Sequence, residues 1–349
     1  MDEHARDVPA GIAPDAIAAW MAARVGPVAP PLTFAHITGG LSNLTFNMWD
    51  AGGQHWVLRR PPLHGVEQSA HDMQREHRIM AALAGSAVPV PPVVGLCEDT
   101  AVTGAPFFVM EYVDGTVLRD PQAVARTSDE ARRTRASESL VDTLAALHAV
   151  DPDAVGLGDL GRREDYCARQ LRRWRGQWDK VHTRAVPQIV AVHDRLVTDI
   201  PPQAGASIVH GDYRLDNLIL HDDGTVAAVV DWELCTLGDP LADLGMLWVY
   251  WKDAGEDFSP LPQTASDQPG FLRKTELVER YGRRSGRDLS DFEFYIALAY
   301  WRLAVILEGV YARFTSGAYG DVPDQVRSFE QTVPALADAA LEATERSGR

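Results

Sequence analysis

The sequence predicts an α+β protein of two lobes, a β-rich first lobe followed by a mainly helical second one. Three observations carry that expectation. Between residues 32 and 60 the apolar residues recur with a period near two, with turn residues separating the runs. From about residue 127 onward the repeat becomes helical, interrupted by short apolar runs near 208–209, 218–220 and 226–230. At 349 residues the chain also exceeds what one hydrophobic core usually serves. Gly115 marks the link, so the first lobe spans 1–113 and the second 114–349. A cleft between two such lobes is the expected place for a ligand.

The elements follow in order. Residues 14–25 form a short helix, and 32–38, 44–49 and 54–60 form three strands joined by the glycine turns at Gly39, Gly40, Gly52 and Gly53. Pro61 and Pro62 end the third strand, because proline cannot continue a ladder. A helix over 70–83 places Met73, His77, Met80 and Leu83 on one stripe. Prolines at 89, 91 and 92 precede two more strands, over 93–98 and 106–113. In the second lobe, Thr127 with Glu130 three residues later reads as a capping box that opens a helix to residue 148. Further helices are expected over 166–182, 187–200, 240–251, 273–285, 291–314 and 323–347. The polar stretch 253–270, with its three prolines, reads as a loop, either a lid or a plain surface connection.

Composition excludes several classes of function. A chain that is 46% hydrophobic and 23% charged is of ordinary globular type. Its net charge of −16 opposes nucleic-acid binding, since a phosphate backbone would be repelled. The apolar stretch 294–310 is interrupted by Arg302 and Glu308 and is not expected to span a bilayer. Cys97, Cys167 and Cys235 fit no metal-ligand spacing and read as free thiols in a reducing compartment. The first residues show no apolar core behind a basic segment, so no signal peptide is expected and the protein is read as cytoplasmic.

The chemistry concentrates between residues 208 and 233. There His210, Gly211 and Asp212 follow an apolar run, Asn217 comes five residues after Asp212, and Asp231 and Glu233 follow a second apolar run. Phosphoryl transfer asks a protein mainly for positioning and charge neutralisation. Asp212 can accept a hydrogen bond from a substrate hydroxyl and orient it for in-line attack. Asn217 and Asp231 are hard oxygen ligands suited to Mg²⁺, and Arg214 can reach the transferring phosphoryl. Asp and Asn as plain turn formers explain each residue singly, but not the whole spacing.

With those residues in place, the chain resembles the aminoglycoside phosphotransferase and choline kinase family, which has a protein-kinase-like two-lobed fold. The family's His-Gly-Asp-x-x-x-x-Asn signature is matched by His210, Gly211, Asp212 and Asn217, and its metal-binding Asp by Asp231. The resemblance covers roughly residues 30–315. It is nearest to the branch found fused to acyl-CoA dehydrogenases, through the stretches at 39–46, 57–62, 110–113 and 231–240 and through Ala70, His71 and 75–78.

The resemblance implies ATP and Mg²⁺ as cofactors and a small-molecule hydroxyl as acceptor. It implies that Ser42 and Asn43, after Gly39 and Gly40, face nucleotide phosphates through their N–H groups. Val57 would touch adenine, and Arg59 stands where kinases place a lysine on the phosphates, with Arg60 as the alternative and Glu76 as the partner of that cation. Met110 would line the adenine pocket, with the carbonyl of Glu111 and the N–H of Val113 contacting the base. His210 and Asp243 would support the catalytic loop. A hydroxyacyl-CoA is the acceptor this branch suggests; an aminoglycoside antibiotic and a non-catalytic nucleotide-binding scaffold are the alternatives. Arginines 162, 163, 169, 172, 173 and 175 form a basic concentration suited to an anionic acceptor, yet those at 169–175 cannot share one helical face, which favours a solvated helix. Tyr250, Trp251, Tyr300, Trp301 and Tyr311 read as core more than as a pocket wall. No Asp-Phe-Gly or Ala-Pro-Glu landmark bounds an activation loop, which sets the chain apart from protein kinases.

Overall fold

The computed structural model describes residues 8–37, 43–62, 66–119, 121–127, 129–256, 264–316 and 322–346, side chains at 66–72, 123, 126 and 127 excepted. The chain divides into two units: Met1–Gly115 with Ala227–Glu233, and Thr116–Val226 with Leu234–Arg349.

In the first unit α1 (Pro14–Val25) starts on a proline, whose missing N–H is no loss at a helix start. Then come β1 (Thr33–His36), β2 (Leu44–Trp49), β3 (His55–Arg60), α2 (Val66–Leu83), β4 (Val93–Cys97), the single turn α3 (Thr100–Thr103) and β5 (Phe107–Glu111). Among the described residues the strands form one antiparallel sheet in the order β1-β2-β3-β5-β4. Strand alternation sorts the side chains. Phe46, Met48, Leu58, Phe107 and Val109 face one way and pack with Ile17 and Met21 of α1 into the core. Each such side chain contributes about 1.5–3 kcal/mol by leaving water. Val57, Arg59, Phe108 and Met110 therefore face the other way, with Val57 opposite Met110 and Arg59 opposite Phe108.

The second unit is mainly helical. It holds α4 (Pro121–Thr127), α5 (Glu130–Ala149), α6 (Tyr166–Val181), α7 (Pro187–Thr198), β6 (Ser207–Val209) and β7 (Leu218–Leu220). After β8 (Val226–Val229), most of which belongs to the first unit, come β9 (Thr236–Gly238), α8 (Pro240–Tyr250), α9 (Lys274–Ser285), α10 (Phe292–Thr315) and α11 (Asp324–Arg346). β6 pairs antiparallel with β9. α10 is the spine of this unit and packs against α11, α8 and α6. By length and apolarity α10 could cross a membrane, but most of its apolar window is buried in the protein.

The α+β class and the kinase-like arrangement of a sheet-bearing first part and a helical second part are as expected from sequence. One cap differs. The helix expected from Thr127 starts at Glu130, and its cap is Asp129, whose Oδ1 accepts from the N–H of Arg132 at 2.8 Å. Thr127 instead ends the separate helix α4. Asp outcompetes the capping box here because one carboxylate satisfies an orphan N–H directly. The short elements α3, α4 and β9 carry too few residues to show a period.

Candidate active site

The loop after β6 is shaped by its anchors. Gly211 has φ +85°, and a Cβ there would stand 2.7 Å from the carbonyl oxygen of Leu234, so only glycine fits. Asp243, in the first turn of α8, accepts from the N–H of His210 at 2.6 Å and from that of Gly211 at 2.8 Å. Burial alone would push the Asp243 carboxyl up, but the bond and charge of His148, the ring of His210 and the Gly211 N–H more than offset it and hold it below the usual range. His148 is fixed in turn by the hydroxyl of Tyr281, 2.7 Å from Nδ1. On the other side of the same residue, Arg302 donates to the carbonyl of Gly211 at 2.9 Å. Gly211, the residue preceding Asp212, is thus held at both its N–H and its C=O.

Asp212 itself is partly exposed. Asn217, in the 3₁₀ turn Leu215–Asn217, donates Nδ2 to the Asp212 carbonyl at 2.8 Å and to Oδ2 at 3.1 Å. That assignment leaves Oδ1 of Asn217 as the acceptor for an incoming group. Arg214 lies 3.6 Å from Asp212 and 3.4 Å from Asp216, and its guanidinium stands over the ring of Tyr250. Burial raises the Asp216 carboxyl above its ordinary value, Arg214 acting against it. Burial, and then the charge of Asp212, push the Tyr250 phenol up as well. Arg214 is therefore held between two carboxylates and an aromatic face.

The first unit assembles a second set. Arg59 donates Nε to Glu76 at 2.9 Å, Nη1 to the hydroxyl of Thr45 at 3.3 Å and Nη2 to Asp231 at 2.6 Å, with Glu233 at 3.5 Å. Asn43 donates to the same Glu233 oxygen at 3.1 Å. Glu76 is 2% exposed, and burial first, then the charges of Asp231 and Glu233, raise it to about 7 despite Arg59. Asp231 sits in the left-handed backbone region at φ +66°, next to Trp232, which is fully buried and tied to the carbonyl of Val229 at 3.0 Å. Arg60 faces the opposite side of β3, is buried, and donates to the carbonyls of Gly11, Thr103 and Pro61. It is Arg59 that meets Glu76.

Val57 and Met110 are buried cross-strand neighbours, Glu111 is exposed with its N–H on the carbonyl of Pro92, and Val113 is half-buried. Ser42 lies outside the described residues. Cys235 is a buried free thiol, as are Cys97 and Cys167. Among the described residues no three His, Cys, Asp or Glu gather into a metal cage. Asn217 in the second unit, and Asp231 and Glu233 in the first, each carry an oxygen of the hard type that suits Mg²⁺. Sequence reasoning passed over Arg302 and Thr45 and assigned Tyr250 to the core. The signal for Arg302 was present: a charge within the apolar run of a long helix.

A profile of the phosphotransferase enzyme family matches residues 33–294. Mouse acyl-CoA dehydrogenase family member 10 is 36% identical over 294 residues, covering 82% of this chain and 27% of its own length. Human acyl-CoA dehydrogenase family member 11 is 32% identical over 322 residues, covering 90% of this chain and 40% of its own. The chain thus spans well under half of these relatives. A Ralstonia eutropha crystal structure with a provisional aminoglycoside phosphotransferase assignment superposes with a TM-score of 0.81 at 35% identity, covering 95% of this chain and 98% of the other. The aminoglycoside phosphotransferase APH(4)-Ia, in ternary complex with AMP-PNP and hygromycin B, shares the fold, with a TM-score of 0.60 at 18% identity over 93% of this chain and 98% of the other.

Proposed function

The chain belongs to the phosphotransferase enzyme family, and from that premise we propose that it transfers the γ-phosphoryl of Mg-ATP to a hydroxyl of a small molecule. The observation that carries this reading is the two-sided grip on Gly211, the residue before Asp212, by Asp243 on its N–H and Arg302 on its carbonyl, with Asn217 bonded to the Asp212 carboxylate. A plain turn needs no buried carboxylate and buried guanidinium on one residue; a positioned acceptor of a hydroxyl proton does. Asp212 orients the acceptor hydroxyl, whose oxygen forms the new bond to the γ-phosphorus as the bond to the β,γ-bridging oxygen breaks. The hydroxyl proton passes to Asp212 and ADP leaves. Arg59, held by Glu76, binds phosphate oxygens, and Val57, Met110, Glu111 and Val113 form the adenine side, with Ser42 and Asn43 toward the phosphates. Arg214 neutralises charge near Asp212. Asn217, through Oδ1, and Asp231 would hold Mg²⁺, which when bound neutralises the triphosphate.

Two acceptor classes follow from the relatives. Fusion of similar domains to acyl-CoA dehydrogenases in the longer relatives supports a hydroxyacyl-CoA or related hydroxy compound. The hygromycin-B 4-O-kinase of Escherichia coli, 24% identical over 212 residues, supports an aminoglycoside instead. Both readings put the protein in the cytoplasm, where ATP and reduced thiols coexist. The test is a pair of variants. Asp212→Ala is expected to abolish turnover and leave nucleotide binding nearly intact, whereas Asp231→Ala weakens Mg-ATP binding itself. Turnover by the Asp212 variant within about tenfold of wild type, only ~1.4 kcal/mol of barrier, would remove Asp212 from its role. ATP binding by wild type without turnover of any hydroxy compound would favour a non-catalytic scaffold.

A further inference from the structure

Arg59, the cation given above to nucleotide phosphates, is held by three carboxyl groups of its own unit. Its Nε donates to Glu76 at 2.9 Å, while the single nitrogen Nη2 faces the other two, Asp231 Oδ1 at 2.6 Å and Glu233 Oε2 at 3.5 Å. The same Glu233 oxygen accepts from Nδ2 of Asn43 at 3.1 Å, across 190 positions of sequence. Arg59 is 13% exposed, so carboxylates rather than water balance its charge. Glu76 and Asp231, both in direct hydrogen bonds, already outnumber one guanidinium. Asn43 needs only a neutral acceptor, which a glutamine amide would supply as well. The charge of Glu233 is thus surplus to the packing, and it stands beside the nitrogen that a phosphate oxygen would seek.

That arrangement treats two forms of a nucleotide differently. Nη2 bridges Asp231 and Glu233, so Asp231 serves a metal only by giving up that nitrogen. Arg59, once released, takes a phosphate oxygen as its new partner, and Glu233 then faces the charge of a cation. A triphosphate without metal meets the opposite balance. It has to draw Arg59 and Asn43 away from Glu233 while lying against a carboxylate whose charge nothing cancels. Glu233 is 26% exposed, which leaves that repulsion only partly screened by water.

We propose that Glu233 is a specificity-determining residue that rejects metal-free nucleotide: its carboxylate competes with phosphate for Arg59 and Asn43, and a nucleotide displaces it readily only when a divalent cation comes with it. Metal and nucleotide binding are thereby coupled, each tightening the other by the same factor. This rests on the kinase reading above and adds to it the side chain that sets which form of the nucleotide is accepted. A direct metal ligand is the competing role for Glu233, and it answers the same substitution differently: loss of a ligand weakens Mg-ATP, whereas loss of a competitor tightens bare ATP.

The test measures binding by calorimetry on the full chain, with ATP in excess EDTA, ATP in excess Mg²⁺, and adenosine as the uncharged control. Wild type is expected to bind Mg-ATP at least about fiftyfold tighter than ATP in EDTA. Glu233→Gln keeps an acceptor for Asn43 and removes the charge. It should tighten ATP in EDTA roughly tenfold, change Mg-ATP by less than about threefold and leave adenosine as it was. Glu233→Ala, with neither charge nor acceptor, should shift the two forms of ATP in the same direction, and thermal unfolding of both variants checks that they are folded. ATP in EDTA bound no more tightly by either variant overturns the proposal. So does Mg-ATP weakened by about tenfold or more, the mark of a lost metal ligand. Adenosine gaining as much as ATP, or a wild type indifferent to Mg²⁺, overturns it too. A wild type that binds neither form of ATP sinks the kinase reading and this proposal with it, a result distinct from all the others.

Discussion

Around the guanidinium of Arg59 one positive charge meets three carboxylates, those of Glu76, Asp231 and Glu233. The innermost of them, Glu76, bears the strain of that imbalance, with its ionisation raised from 4.5 to about 7. A carboxyl whose folded value lies above its unfolded one contributes stability that is full below 4.5 and is lost as pH rises through about 7. Glu76→Gln removes the titrating group, so the wild-type Tm should fall relative to that of the variant between about pH 5 and pH 8. A Tm difference that stays constant over that interval would mean that Glu76 ionises normally. At this scale much of the site was legible in the sequence: the spacing of Asp212, Asn217 and Asp231 needs no structure to be noticed. Arg302 showed in the sequence only as a charge within an apolar helix, and Tyr250 not at all, because helices bring them to Gly211 and Asp212 from far along the chain and helical spacing alone assigns an aromatic to core.

Two glycines show how elements are fitted to each other. Gly245 lies where α8 crosses α10, and a Cβ there would stand 2.6 Å from the carbonyl oxygen of Tyr295. Gly211 faces Leu234 in the same way at 2.7 Å, with a positive φ as well. Backbone atoms on both sides cannot swing aside as a flexible side chain would, so alanine at either position should lower stability by about 1–3 kcal/mol in urea unfolding. Gly176, inside α6, meets nothing within 4 Å, and alanine there should stabilise by about 0.5–1 kcal/mol. Equal effects at all three positions would refute the packing argument. Element existence was largely readable because long amphipathic or apolar runs declare their period. The start of α5 was not, because Thr127 and Asp129 both satisfy the local capping rule and only the folded chain shows which one accepts.

For the molecule as a whole, a ligand that binds only the folded state must stabilise it by mass action. Mg-ATP at about 100 times its Kd should add about 2.7 kcal/mol and raise Tm by a few degrees, and a chelator in excess should cancel most of the gain. An ATP shift indifferent to chelation would leave Asn217 and Asp231 without their assigned ion. The division into a strand-rich part and a helical part could be read from the change of period near Gly115; the return of Ala227–Glu233 to the first unit could not, since nothing local marks a short apolar strand as belonging elsewhere. That return has a consequence for biosynthesis. The ribosome delivers Arg59 and Glu76 early, yet Asp231 emerges only after most of the catalytic loop has been translated. The first unit therefore waits for a late segment to complete it, and a nascent chain stalled before Ala227 would hold its arginine against Glu76 and Thr45 without the other two carboxylates.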